Sequence, residues 1–228
     1  DPKILTWYQE NMVKAPVLQE GVDRNLWVWE QPNYTKDYIV VADVSRGDGS
    51  DYSATQVFEV EDMKQCAEYK GKLSTTDYGH FLIDLATKYN DALLVVENNN
   101  IGWATIQTII DRGYKNLFYQ SKDLKYVDTE NQLNTNKYRA QDRSMVAGFS
   151  TTMKTKPLII AKMEEYTREK LVKLHSNRLI DELFVYIYRN SRTEAMAGYN
   201  DDLVMSYAIA LWIRDTALRI QKDRNDVQ

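Results

Sequence analysis

The sequence predicts a mixed α/β fold, a sheet covered by helices on both faces. Three observations carry this. Two near-continuous apolar runs, "DYIVVADVS" (37–45) and "ALLVVE" (92–97), have the pattern of strands buried on both sides. Segments with helical spacing occur at 75–90, after the hairpin that follows the first run, and at 102–112, after the second. The order of elements is β-β-β-α-β-α-β and then mostly helices, which requires a sheet with both faces occupied.

Residues 1–37 show no sustained period and read as a linker or edge, apart from "NLWVWEQP" (25–32), a short strand ended by Pro32. After the first buried strand, "RGDGSD" is a turn of Gly and Asp. "YSATQVFEV" (52–60) and "QCAEYKGKL" (65–73) flank the polar turn "EDMK" and read as a hairpin. "TTDYGHFLIDLATKYN" (75–90) opens on a Thr/Asp cap and sets Phe81, Leu82, Leu85 and Ala86 on one helical face. The strand 92–97 is followed by "NNNIG", a helix over 102–112 and a strand "NLFYQ" (116–120). The pattern weakens over 121–150, an expected extended loop or hairpin. Helices are expected at 156–170, with Pro157 in the first turn, and at 176–184. A strand at 185–190 and a last helix at 200–215 complete the chain.

The chain has 228 residues, 43% hydrophobic and 27% charged, enough apolar material for one core and too much for a disordered chain. A single cysteine, Cys66, excludes an internal disulfide and reads as packing in a reducing compartment. No apolar run nears the roughly 18–20 residues of a membrane span. The first residues are polar, unlike a secretion signal, and without a starting Met the chain is expected to be a piece of a longer polypeptide.

The net charge of −4 argues against a general nucleic-acid binder, but the charge is uneven. Residues 1–119 carry 11 basic and 18 acidic side chains; residues 120–173 carry 11 and 7. Within the second segment, "KYRAQDRSMVAGFSTTMKTK" (137–156) has five basic residues and one acid. Such a stretch suits either a polyanion or a solvated loop.

Acids fall at element ends. Asp43 closes the first buried strand, Glu97 closes the fourth, and Asp201 and Asp202 open the last helix. Open α/β sheets build sites at the carboxyl ends of their strands. An Asp before an apolar helix is ordinarily an N-cap, and each acid alone has an ordinary role. Together they would repel unless a cation compensates. A site of oxygen ligands without histidine or cysteine selects hard cations, Mg²⁺ or Mn²⁺. Two such ions about 4 Å apart form the arrangement that cleaves phosphodiesters, one activating water and the other stabilising the leaving oxygen. The two histidines, His80 and His175, fall away from the acids, and "GDGSD" lacks the GK[ST] sequel of a phosphate-binding loop.

The segments "YIVVADVSRGDGSDYSA", "LLVVENNNIG", "GFSTTMKTKP" and "GYNDDLVMSYAIALW", in that order, resemble the nuclease domain of large terminase subunits of tailed bacteriophages, within the ribonuclease H superfamily. The resemblance spans about residues 27–215. It implies a ribonuclease H-like mixed sheet: three antiparallel strands, then parallel ones. It divides the chain into a linker, 1–36, from a preceding ATPase domain, a nuclease domain, 37–216, and a tail, 217–228. It implies that Asp43, Glu97 and Asp202 are catalytic and hold Mg²⁺ or Mn²⁺, two ions, with Asp201 as a further ligand and Asp51 as a secondary acid acting through water. Asn200 stands where many members carry histidine. The implied activity is cutting of concatemeric double-stranded DNA at the start and end of packaging. Lys137, Arg139, Arg143, Lys154 and Lys156 are the candidates to hold that DNA. The implied partners are the ATPase domain in the same polypeptide, where ATP would bind, the portal protein and a small terminase subunit, with no membrane. The implied place is the host cytoplasm during phage assembly, at the procapsid portal. Two alternatives share these residues: a non-catalytic DNA-docking module, and a resolvase-type recombination nuclease.

Overall fold

The computed structural model describes residues 1–47, 49, 51–99, 101–121, 145–189 and 192–225, with the side chains of 216–225 left aside. Six strands form one sheet in the order β1-β2-β5-β4-β3-β6: β1 (Leu18–Glu20), β2 (Leu26–Val28), β3 (Tyr38–Asp43), β4 (Ser53–Glu59), β5 (Lys64–Gly71) and β6 (Leu93–Val96). All neighbours are antiparallel except β3 and β6, which run parallel with Ile39 opposite Leu93 and Ala42 opposite Val96. The predicted mixed sheet is therefore present, with its one parallel pair where the two apolar runs meet.

Side chains alternate across a strand, and the two cores divide accordingly. Val40, Ala42, Leu94 and Val96 face α2 (Thr75–Lys88) and α3 (Gly102–Asp111). Ile39, Val41, Leu93 and Val95 face the other side. There lie α1 (Pro2–Asn11), α4 (Thr155–Arg168), α5 (Asn177–Val185) and α6 (Asp202–Asn225). Every residue from Leu203 to Leu211 on α6 is buried, so this helix is apolar all round where it crosses the sheet.

Several elements differ from the sequence reading. The stretch read as a linker contains α1, started by Pro2 with the Asp1 side chain accepting from the Lys3 amide at 2.9 Å. It buries Leu5 and Tyr8, and the Tyr8 hydroxyl donates to the Val172 carbonyl at 3.2 Å. Ten residues show too few turns for a period to stand out. The cap of α2 is Ser74, whose hydroxyl accepts from the Asp77 amide, one residue before the expected Thr. Helix α6 continues to Asn225, past the end of its apolar pattern; the added residues include Ala, Leu, Arg, Gln and Lys and no Gly or Pro to stop a helix. Of "NLFYQ", Leu117 bridges β6 at Leu94, while the regular strand β7 (Tyr119–Ser121) pairs with β8 (Met145–Ala147), and β9 (Tyr186–Arg189) pairs with β10 (Arg192–Ala195). Cys66 is buried, with its thiol pushed up to about 12 by burial, as expected of a packing residue. No helix among the described residues is long and apolar enough to cross a membrane.

A buried polar cluster ties α5 to the sheet. Glu68 on β5 has no exposure and accepts from Gln56 Nε2 (3.0 Å), Gln65 Nε2 (3.3 Å), Ser176 Oγ (2.7 Å) and Arg178 Nε (2.8 Å). The Arg178 guanidinium also lies 3.7 Å over the Trp27 ring. Truncating one member leaves buried donors without an acceptor. Glu68→Ala is therefore expected to cost about 3–5 kcal/mol, measured by urea unfolding. A loss within 0.5 kcal/mol, the ordinary scale of a surface change, would show that the cluster does not anchor α5.

Candidate metal centre

Strand pairing sets the first two acids side by side. The parallel register continues one step past Ala42 and Val96, to Asp43 and Glu97, and the Glu97 amide donates to the Ala42 carbonyl at 2.8 Å. Both acids share the parity of Ile39, Val41, Leu93 and Val95, so both project toward the face that carries α6. Helix α6 opens on Asp202 at that same end of β3. Topology and alternation thus bring three chain segments to one point.

The electrostatics report the convergence. Asp43 is half-buried by its own surface, yet it sits deep among protein atoms, and its carboxyl is held well above the usual range. Burial is the largest cause, followed by the charge of Glu97, a hydrogen bond with Glu97, and the charges of Asp202 and Asp201. Asp202 is also raised, by burial first, with Asn200, the Tyr52 amide and Lys70 pulling the other way. Asn200 Nδ2 donates to Asp202 Oδ2 at 3.1 Å, and the Tyr52 amide donates to the same oxygen at 3.3 Å. Asn99 Nδ2 donates to Glu97 Oε1 at 3.1 Å and to the Thr151 carbonyl at 2.8 Å. Lys156 Nζ lies 3.9 Å from Asp201 Oδ2.

Close backbone approaches fix these positions. A Cβ on Gly102 would stand 1.9 Å from the Glu97 carbonyl oxygen, so only glycine lets α3 start over that residue. Gly148, at φ +79°, would place a Cβ 2.4 Å from the Val96 carbonyl; the next residue, Phe149, donates to that carbonyl and accepts from the Asn98 amide. Asn98 is buried and donates to the Ala147 carbonyl while its oxygen accepts from Ser150. Asn98 and Asn99 therefore fasten 147–151 beside β6; Asn100 lies outside the described residues.

The predicted residues sort plainly. Asp43, Glu97, Asp201 and Asp202 come together, and Lys156 joins them. Asp51 is exposed in the loop just before Tyr52, whose amide touches Asp202. Lys154 is exposed at the start of α4. Lys137, Arg139 and Arg143 lie outside the described residues. His175 is buried and contacts the Met12 carbonyl, away from the acids. The sequence reading missed Tyr52, Lys70 and Glu182. They line, with Tyr199 and Asn200, a cleft of about 370 Å³ beside Asp202. A separate apolar groove of about 220 Å³, bounded by Ile4, Ile160, Met163 and Tyr188, contains none of the four acids.

An all-carboxylate donor set fits a hard divalent cation. Among the described residues no three Asp, Glu, His or Cys side chains already enclose a point for an ion; the acids share one field without forming a closed cage.

No protein-family model matches the sequence. The structure is similar to the large terminase nuclease of thermophilic phage G20c with bound cobalt, at TM-score 0.65 and 16% identity over 91% of this chain and 96% of that one. The same nuclease with bound magnesium gives TM-score 0.65 and 16% identity over 92% and 96%. The human cytomegalovirus terminase nuclease domain, manganese-soaked and inhibitor-bound, gives TM-score 0.51 and 8% identity over 93% and 94%. The fold is that of a large-terminase nuclease domain. On this terminase nuclease fold, Asp43 and Glu97 stand at the carboxyl end of the parallel β3–β6 pair, and Asp201 and Asp202 at the start of α6.

The raised Asp43 carboxyl has a measurable sign. In the folded chain it holds its proton more tightly than when unfolded, so its contribution to stability is complete below about pH 4 and is lost as pH rises through the raised value. Asp43→Asn cannot ionise and escapes this loss. In EDTA its Tm is expected to match the parent near pH 4 and to exceed it increasingly toward pH 8, by about 2–4 °C for each kcal/mol gained. A difference independent of pH would place Asp43 outside a field of like charges.

Proposed function

We propose that this domain is a divalent-metal-dependent endonuclease that cuts double-stranded DNA for a viral packaging motor. The single observation that carries the reading is the meeting of Asp43, Glu97, Asp201 and Asp202 at the end of a parallel strand pair. The similarity to terminase nucleases, some holding cobalt or magnesium, supports it. Asp43, Glu97 and Asp202 would hold Mg²⁺ or Mn²⁺, most simply two ions, with Asp201 beside them and Asp51 acting through water. The chemistry such ions supply when bound is polarisation of phosphate oxygens and activation of water.

The chain's own residues do the rest. Asn200 and the Tyr52 amide hold one oxygen of Asp202 and leave the other for the site. Asn99 orients Glu97 in the same way. DNA is drawn to an acidic centre only if separate cations hold its backbone. Lys154 and Lys156 at the start of α4, with Lys137, Arg139 and Arg143, would supply them. The contact of Lys156 with Asp201 gives this lysine a second role, as a charge balancing the acids before an ion arrives. The ATPase domain, the portal and a small subunit would be the partners, with cutting at the start and end of packaging.

The test is plasmid nicking by the purified domain in Mg²⁺ or Mn²⁺. Asp43→Ala, Glu97→Ala and Asp202→Ala are each expected to reduce it to background. An Asp43→Ala protein as active as the parent would refute the reading. DNA binding indifferent to EDTA, with no cleavage in any metal, would instead choose the docking module, and selective cutting of four-way junctions the resolvase type. The same ions are expected to raise Tm near neutral pH, with the effect fading below about pH 5 as the carboxyls protonate.

The two lysines should separate. Lys154→Gln is expected to lower the salt slope of DNA binding by about one unit and leave metal affinity unchanged. Lys156→Gln should lower the slope similarly and also tighten Mn²⁺ binding, because a competing cation is gone. An unchanged slope in both variants would put the DNA on another face.

A further inference from the structure

The first amides of a helix lack partners within it and ordinarily take the side chain of the residue that precedes the helix. At α6 that residue is an acid of the candidate metal centre. A carboxylate turned back to cap its own helix is no longer aimed into the site. The structure resolves this competition with a residue from elsewhere. Glu182 Oε2, on α5, accepts from the Leu203 amide at 2.9 Å and the Val204 amide at 3.3 Å. Its other oxygen, Oε1, accepts from Lys70 Nζ on β5 at 2.5 Å. Glu182 is 7% exposed, on the same helical face as Leu179. An acid there is costly unless it is bonded in this way.

We infer that Glu182, held by Lys70, is a positioning residue that caps α6 from α5 and so leaves both Asp201 and Asp202 available to the metal. The inference rests on the proposed function only in taking those aspartates as ligands. The charge at the mouth of a core helix is then explained: the capping acid and the binding acids are different residues. Lys70 also stands 5.0 Å over the Tyr52 ring, and the Tyr52 amide donates to Asp202. One lysine therefore touches both Glu182, which caps the helix, and Tyr52, whose amide bonds Asp202.

Reach and charge can be separated by two conservative variants. Glu182→Gln keeps an oxygen at the same reach for the amides, loses the charge and exchanges the acceptor that faces Lys70 for a donor. Glu182→Asp keeps the charge and falls one methylene short of the amides. Mn²⁺ affinity is read by calorimetry at neutral pH, and amide hydrogen exchange is read at Leu203 and Val204. The parent is expected to bind Mn²⁺ with both amides protected. Glu182→Asp should weaken Mn²⁺ by about tenfold or more, the scale of losing an outer support of a metal ligand, with faster exchange at both amides. Glu182→Gln, which keeps the cap but loses the Lys70 bond, should fall between the parent and Glu182→Asp in Mn²⁺ affinity, with the amides still protected. Equal Mn²⁺ affinity in the parent and Glu182→Asp would overturn the inference while leaving the metal site intact, as would unprotected amides in the parent. A parent that binds no Mn²⁺ would instead overturn the functional reading, and this inference with it.

Discussion

The parallel pairing of β3 with β6 is the constraint on which the rest depends. Antiparallel neighbours place the end of one strand beside the start of the next, so two strand-terminal acids on such a pair would lie at opposite edges. Only a parallel pair puts Asp43 and Glu97 together, and only a register of Ala42 on Val96 puts them level. A slip of one residue would turn one acid to the α2–α3 face and end the site. The hydrophobic alternation that fills both cores therefore also sets the aim of the acids. Core packing and site geometry are one specification.

Concentrating negative charge at that point has a cost, visible in the raised Asp43 carboxyl. The surrounding structure limits it without neutralising it. Neutral donors, Asn99, Asn200 and the Tyr52 amide, each take one carboxylate oxygen. Among the described residues Lys156 forms an ion pair with Asp201, at 3.9 Å, and Lys70 acts on Asp202 through its charge. A buried arginine or lysine paired to Asp43 would have satisfied the charge and closed the place to any other cation. Full pairing is used one layer out, where Glu68 and Glu182 are bonded to Arg178 and Lys70. The acids behind the site are paired with cations, while Asp43 is held among like charges, an arrangement that the proposed ion-binding role would use.

Helix α6 joins these layers. Its walls from Leu203 to Leu211 are buried against the sheet, so its start cannot drift along β3. Its first amides are held by Glu182, and Glu182 is held by β5 through Lys70. The Glu68 cluster in turn fixes the beginning of α5 through Ser176 and Arg178. The aspartates at the helix mouth inherit their positions from this chain of supports.

The sequence by itself determined the mixed sheet, its two buried runs, most helices and the four acids, because these are written locally: apolar period, strand-end position and helix start are all read within a dozen residues. It also held one unread signal, Glu182 on the apolar face of α5, where a charge has no local reason to be. It could not show α1 as a packed helix, since ten residues give too short a period. Nor could it say that Asp201 and Asp202 escape capping, or that Lys156 meets Asp201 while Asn98 serves the backbone. Those outcomes join residues 21 to 112 positions apart, such as Glu182 with Leu203 and Lys70 with Glu182. Only the tertiary structure decided them, because a hydrogen bond across that separation depends on where the sheet and helices have already placed both ends.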